Sequence, residues 1–386
     1  MTLNDTVKHE SMDEKGTPLR LGLAFWFTGF LLLVFVPLLN LLPQDSLFYV
    51  SDFTLNLFGK YFAFAILALG IDLIWGYTGV LSLGHGVFFG LGAYAIGMHL
   101  MLEIGAEGVY GSSLPDFMVW NQVKELPWFW KPFSNFGFSL IAVALVPMVF
   151  AALFGFFVFR SRIRGVYFAI ITQALALVAW LVFNRNETNL GGTNGLTDFK
   201  IILGYSLNDP STQRAMYMLT VFFLGVAFLL CRWITQSRAG RVLIAIRDCE
   251  QRVRFTGYSS ANYKLFVFVI SAGLAGIAGA LYVPQVGIIT PNQIGVLPSI
   301  EMAIWVAVGG RGTLIGAIVG AVGVNWIRSI LTNHFPELWP FFLGGLFVAV
   351  VMFFPKGVVG IFSQVQSLVP RRKSKSMNSK IAEATK

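Results

Sequence analysis

The chain of 386 residues is 56% apolar and only 12% charged, with a mean hydropathy of +0.70. Soluble domains carry about 25% charged residues, and here the apolar residues gather into blocks close to the ~20 that cross hydrocarbon as a helix, which excludes a soluble globular enzyme. The formal net charge of +9 would suit nucleic acid, but the basic residues follow apolar runs, where they orient a membrane protein instead.

In chain order, residues 1–20 are polar and read as a cytoplasmic N-terminal segment, and the long apolar run after them reads as a retained anchor rather than a cleaved signal peptide. Spans are predicted at about 21–42, 58–78, 81–102, 138–159, 166–184, 215–235, 264–283, 294–309, 313–331 and 340–362. The eighth contains Pro298 and Glu301 and is expected to be broken. Ten crossings put the basic segments 1–20, 160–165, 236–263 and 363–386 on one side, the cytoplasmic one, and the segments poor in positive charge on the other. Nine would leave the C-terminal RRKSK outside. The expected fold is therefore all-α and polytopic, with both termini cytoplasmic. A transmembrane domain covers 21–362, and a basic tail at 363–386 is expected to be disordered and to lie against anionic lipid.

The stretch WGYTGVLSLGHG (75–86) places glycines, Ser82 and His85 between two apolar runs. Irregular backbone at membrane depth is tolerated only where protein or a water-filled cavity satisfies it. The stretch is thus expected to line a pathway or to pack against a partner. The outer loop 103–137, rich in aromatics and proline, suits the membrane interface. The outer loop 185–214 carries ETNLGGTNGLTDF, suited to tight turns.

Between the sixth and seventh spans, RAGRVLIAIRDCEQRVRFTGYSSANYK (238–264) places Val242, Ile246, Cys249 and Val253 on one helical face. Gly257 suits the left-handed position that ends such a helix. Two readings stay open: a helix lying on lipid, or a lever docked into a partner protein, whose groove would suit the mixed charges of Arg247, Asp248, Glu250 and Arg252.

Ionisable groups inside spans are few: Asp72, His85 and Glu301, with Gln173 and Ser82 as neutral polar groups. Each must face a cavity or find a partner. Lys60, Arg232 and Arg328 all lie near span ends, a sign pattern that favours a neutral, zwitterionic or cationic cargo over an anion. Small residues form stripes, Gly86, Gly90 and Gly97 in the third span, Gly276 in the seventh, Gly316 and Gly320 in the ninth, as close helix packing requires. VGGRGT (308–313) reads as a tight hairpin. The chain has no GxxxxGK[ST] phosphate loop, HExxH, paired CxxC or GxSxG elbow. The four scattered histidines suggest no metal site, and the two cysteines no disulfide framework. No catalytic residue, cofactor or metal is expected, so any energy source lies outside the chain.

Four motifs in order, LALGIDLIWGYTGVLSLGHGVFFGLGAY (67–94), AIRDCEQRVRFTG (245–257), LAGIAGALY (274–282) and VGGRGTLIGAIVGA (308–321), resemble the permease subunits of branched-chain amino acid (LIV-type) ABC importers. Within that family the GVYGSSLPDF…KELPWFW loop, ETNLGGTNGLTDF and YKLFVFVISAGLAGIAGALYVPQVGIITP are most similar to the second permease subunits of urea importers. The resemblance implies half of a transmembrane pathway in a bacterial inner membrane, driven by alternating access. It implies a heterodimer with a homologous permease, two cytoplasmic ATP-binding subunits, a periplasmic binding protein and no nucleic acid. It also implies that about 240–257 is the coupling helix. The family's Glu-Ala-Ala-x-x-x-Gly pattern would put its acid at Gln251, one position from Glu250. Competing expectations are a permease for branched-chain or other neutral amino acids and, from another class, an ion-coupled carrier or channel using Asp72 and Glu301.

Overall fold

The computed structural model describes residues 28–29, 31–161, 165–353 and 357. The predicted segment 1–20, the tail 363–386, most of the first ten residues of the first span and most of the last nine of the tenth lie outside the described residues. The longer helices, in chain order, are α1 (Asp52–Thr78), α2 (His85–Ile104), α3 (Phe136–Arg160), α4 (Val166–Phe183), α5 (Pro210–Gln236), α6 (Arg238–Phe255), α7 (Ser260–Val286), α8 (Val296–Gly309), α9 (Leu314–His334) and α10 (Trp339–Phe353). Among the described residues, α1–α5, α7 and α9 are long and apolar enough to cross a bilayer. The all-α, polytopic expectation holds.

The boundaries follow local chemistry. Ser51 caps α1 by accepting from the Thr54 N–H, and Asn135 caps α3 by accepting from Gly137 and Phe138, supplying acceptors for otherwise orphan amides. Gly79 and Gly287 end α1 and α7 in the left-handed conformation, both at φ 76°, where a Cβ would be strained. The expected break in the eighth span is a shortened helix. Here α8 has 14 residues, about 21 Å at 1.5 Å per residue, and is entered through a 3₁₀ turn at Pro291–Ile294.

The centre is built from α1, α2 and α7. The most apolar stretch of α1 and of α2 is 83% buried, whereas that of α4 is 22% buried, which leaves α4 at the periphery. Glycine lets the central helices touch backbone to backbone. A Cβ on Gly92 of α2 would overlap Gly276 of α7, and one on Gly276 would overlap the Val143 carbonyl and Pro147 of α3. The α8–α9 hairpin closes the same way, through Gly309 against Gly316 and Gly320 against the Trp305 carbonyl.

Two short antiparallel pairs decorate the outer end: Leu196–Thr197 with Ile288–Ile289, and Ile201–Ile202 with Tyr205–Ser206. At the opposite end lie α6, the end of α3 and the α8–α9 hairpin, with most of the basic loops; the positive-inside rule makes this end cytoplasmic. The face expected on α6 needs a correction. Cys249 is exposed and has non-helical dihedrals (φ −155°, ψ 84°), so α6 is two helical pieces meeting at a kink. The residues it buries are Gly240, Leu243, Ile246 and Val253.

Candidate functional site

The loop joining α1 to α2 does not stay at the cytoplasmic surface. His85, the first residue of α2, places Nε2 2.7 Å from Ser271 Oγ, and Ser271 Oγ donates to the Gly70 carbonyl at 2.6 Å. Gly70 lies eight residues before the end of α1, about 12 Å back along the helix. The chain therefore climbs back into membrane depth over 79–84 before α2 begins. Protein groups satisfy it there: the Leu83 N–H donates to Thr172 Oγ1 at 3.0 Å, and the Gly86 N–H to Ser299 Oγ at 3.1 Å. Gly84 lies against the Thr172 carbonyl, so close that a Cβ would clash.

From the outer side, 287–295 descends to the same depth. Gly86 faces the Gln293 and Ile294 carbonyls and Ser299, and Gly90 faces Ile294. The first turns of α2 and α8 thus meet inside the molecule. Helix N-termini carry partial positive charge, and paired interrupted helices at mid-depth are where transporters hold cargo.

A cavity of about 380 Å³ reaches this junction. One wall is aromatic: Phe64 lies 5.4 Å from Tyr282 and 4.8 Å from Trp305 between ring centroids, and Phe89 packs on Tyr282. The opposing groups are polar, with Asn292, Gln293, Asn325 and Ser329 beside Lys60, Glu301 and Arg328. Arg328 Nη1 meets Glu301 Oε2 at 2.5 Å, and its guanidinium also lies over Trp339. Among the described residues Lys60 has no carboxylate partner; its ammonium lies 5.9 Å from the Phe64 ring centre. Tyr61 donates to Ser329 at 2.5 Å.

Of the pathway residues expected from sequence, Glu301 lines the cavity. His85 and Ser82, in the first turn of α2 and the climbing loop, are buried and do not line it. Gln173 is half-buried on α4, one residue beyond Thr172. Asp72 is elsewhere. It is fully buried near the cytoplasmic end, where its Oδ1 accepts from the Gly312 N–H at 2.6 Å. It therefore pins the α8–α9 hairpin to α1, with Arg311 stacked over Trp75 of the same helix. Sequence reasoning passed over Lys60 and Arg328, because both lie within a few turns of a helix end, yet both reach the cavity. Ser271, Ser299 and Thr172 were also missed; small hydroxyls within apolar spans were the available signal.

On the cytoplasmic side α6 is joined to the same elements. Arg247 Nη1 donates to the Gly76 carbonyl at 2.9 Å, Arg247 Nε pairs with Asp248 at 3.1 Å, and Gly79 lies directly against the Arg247 side chain. Asp248 and Arg252 are exposed, and Gly257 has φ 88° just past the helix. Glu250 faces inward, bound by Arg254 at 2.6 Å, Lys264 at 2.8 Å and the Ser260 hydroxyl at 2.8 Å. These contacts fasten the second piece of α6 to the start of α7.

Burial alone would raise the Glu250 carboxyl, but hydrogen bonds from Lys264 and Ser260, the Lys264 charge and the Arg254 contact outweigh it and lower it to about 2. A lowered carboxylate stabilises fully above its ordinary value of 4.5 and loses that contribution as the pH falls toward about 2. The Tm gap between wild type and Glu250→Gln is accordingly expected to be constant from pH 7 to 5.5 and to narrow at lower pH. Melting curves in detergent check this, and a gap that widens on acidification would contradict it.

At the outer end, three segments remote in sequence form one cap. Trp130 is fully buried and its Nε1 donates to the Asn189 carbonyl at 3.1 Å. Gly195 lies against the Ile289 carbonyl so closely that a Cβ would clash. Asn292 next to this pair accepts from Trp180 and lines the cavity. The 103–137 loop thus packs on the protein through Trp130 and Met118, while Trp120 and Trp128 remain exposed.

A family model described as branched-chain amino acid transport system / permease component matches residues 53–351. The chain is 25% identical over 334 residues to the high-affinity branched-chain amino acid transport system permease protein LivM of Salmonella typhimurium, covering 81% of this chain and 71% of that protein. It is 26% identical over 310 residues to the corresponding protein BraD of Pseudomonas aeruginosa, covering 77% and 91%. It is 29% identical over 241 residues to the Autoinducer 2 import system permease protein LsrC of Salmonella paratyphi B, covering 57% and 64%. No solved structure matches the chain.

Proposed function

The chain belongs to the branched-chain amino acid transport permease family, and from that premise we propose that it forms half of a pathway importing urea or a short amide. At the coarser level it is a multi-pass permease subunit of an ABC importer in the bacterial inner membrane. Its proposed assembly is a heterodimer with a homologous permease, two cytoplasmic ATP-binding subunits that hydrolyse ATP, and a periplasmic binding protein.

The observation that carries the urea reading is the outer cap. The segments most similar to urea-type permeases, KELPWFW, ETNLGGTNGLTDF and PQVGIITP, are joined there by the Trp130–Asn189 bond and the pairing of Leu196 with Ile289. The cap borders the cavity, whose amides and hydroxyls offer the donors and acceptors a small amide needs. On this reading cargo enters beneath the cap and rests near the α2–α8 junction. The contact of Arg247 with α1 then transmits movement of ATPase-bound α6 to the helix that supplies Lys60, Tyr61 and Phe64 to the cavity.

One observation favours a second reading. Lys60 offers an ammonium to a carboxylate, and Glu301 a carboxylate to an ammonium, which suits a zwitterionic amino acid. Uptake of labelled urea and leucine in cells lacking this chain separates the two. The urea reading predicts loss of high-affinity urea uptake with leucine uptake intact; the reverse outcome overturns it. Proton-driven transport by the reconstituted chain alone would contradict the ATP-driven mechanism.

A further inference from the structure

A second cavity, about 290 Å³, opens at the cytoplasmic end between α3 and the start of α7. Its lining divides by chemistry. Arg160, Arg254, Tyr258 and Asn262 supply polar groups, and Phe156 and Leu265, on membrane-spanning helices, supply an apolar rim. Arg160 is the last residue of α3. Its guanidinium lies 5.5 Å from the Phe156 ring centre, and among the described residues it forms no ion pair. Arg254 pairs with Glu250, but that carboxylate is shared with Lys264. Two cations thus share one acid, and Arg160 adds a third positive charge to the lining, leaving a local surplus of positive charge. Ser259 makes no side-chain cap to α7, so the first amides of this 27-residue helix add their partial positive charge to the same cavity.

We propose that this cavity holds the phosphodiester headgroup of an anionic phospholipid from the cytoplasmic leaflet. The charge calls for an anion, and the uncapped amides with two guanidiniums match the several acceptor oxygens of a phosphate. The apolar rim distinguishes a lipid from free phosphate. Beyond Phe156 the α3 surface continues as Phe157 and Leu153, both exposed along the span, a track on which acyl chains can lie. The headgroup would bridge the end of α3 to the α6–α7 joint, beside the Glu250 cluster.

The test uses the full chain in its purified, delipidated transporter assembly. Phosphatidylglycerol or phosphatidylcholine is added and retention is read by native mass spectrometry. The expected result is selective retention of phosphatidylglycerol, unaffected by millimolar inorganic phosphate. It should fall about tenfold or more in Arg160→Glu, since a lost charge-assisted hydrogen bond is about 1.5–3 kcal/mol. Ala261→Phe, which fills the cavity without changing charge, should give the same loss. Arg241→Glu, on an exposed part of α6 outside the cavity, should retain lipid normally. Three results overturn the proposal: equal retention of both lipids, unchanged retention in Arg160→Glu and Ala261→Phe, or displacement by inorganic phosphate, which would make the site a phosphate site. Urea or leucine uptake does not enter this test, so it stands or falls apart from the cargo assignment.

Discussion

Arg247→Glu is expected to abolish transport while the protein still inserts and folds. The guanidinium donates to the Gly76 carbonyl in the last turn of α1 and is clasped from its own helix by Asp248. A glutamate would set a carboxylate against that carbonyl, beside Asp248 and one turn from buried Asp72. The lost charge-assisted bond alone is about 1.5–3 kcal/mol, a factor of about 10–150 in a coupling equilibrium. The like charges add to it. Arg247 is partly exposed, so the loss falls on the connection between α6 and α1 rather than on the core. Arg247→Lys keeps the charge but loses the fork that reaches both partners, and should retain part of the rate. Asp248→Arg should cost less, because that carboxylate is 63% exposed and supports Arg247 from outside. Uptake by cells containing equal amounts of folded transporter measures all three. Normal transport by Arg247→Glu would mean that α6 does not drive α1 through this contact.

Seven membrane-length helices were legible because the signal for them is local: blocks of apolar sequence. Close packing was legible only in kind: Gly276 stood in a predicted stripe, but Gly92, which meets it, did not. Depth was not. WGYTGVLSLGHG announces irregular backbone, but only the long-range chain from His85 through Ser271 to Gly70 shows that it re-enters the membrane. Its amides are met by Thr172 and Ser299, far away in sequence. Helical spacing also failed at a definite point. The i, i+3, i+4 rule assumes one continuous helix, and the kink at Cys249 turns that residue out. Glu250 was expected to face a partner. Its partner Lys264 is 14 residues away across a turn, a contact no periodicity announces. Lys60 and Arg328 were set aside as end residues; long side chains reached the cavity from there.

The second large effect is expected at Gly276, and it falls on folding rather than on transport. Gly276→Val places a branched side chain where the Val143 carbonyl and Pro147 already fill the space, and Gly92 of α2 approaches the Gly276 backbone from another side. Overpacking typically costs about 1–3 kcal/mol when neighbouring side chains can yield. The obstacles here are a backbone carbonyl and a proline ring, neither of which can rotate away, so relief requires whole helices to separate. Gly279 closes the same crossing one turn away, against the Phe89 carbonyl. Gly276→Val should therefore fail to accumulate as folded protein, read by size-exclusion elution and melting in detergent. Gly225→Val on α5 is the control, since a Cβ there meets nothing within 4 Å, and it should fold normally. The contrast bears on mechanism. Helices α2, α3 and α7 interlock through backbone contacts that leave no room for sliding, so they are expected to move as one body. The relative motion that α6 imposes would then fall on α1, on the hairpin held by Asp72, and on the α8 side of the cavity. A folded, transporting Gly276→Val would show that the crossing is loose and that the central helices themselves shift.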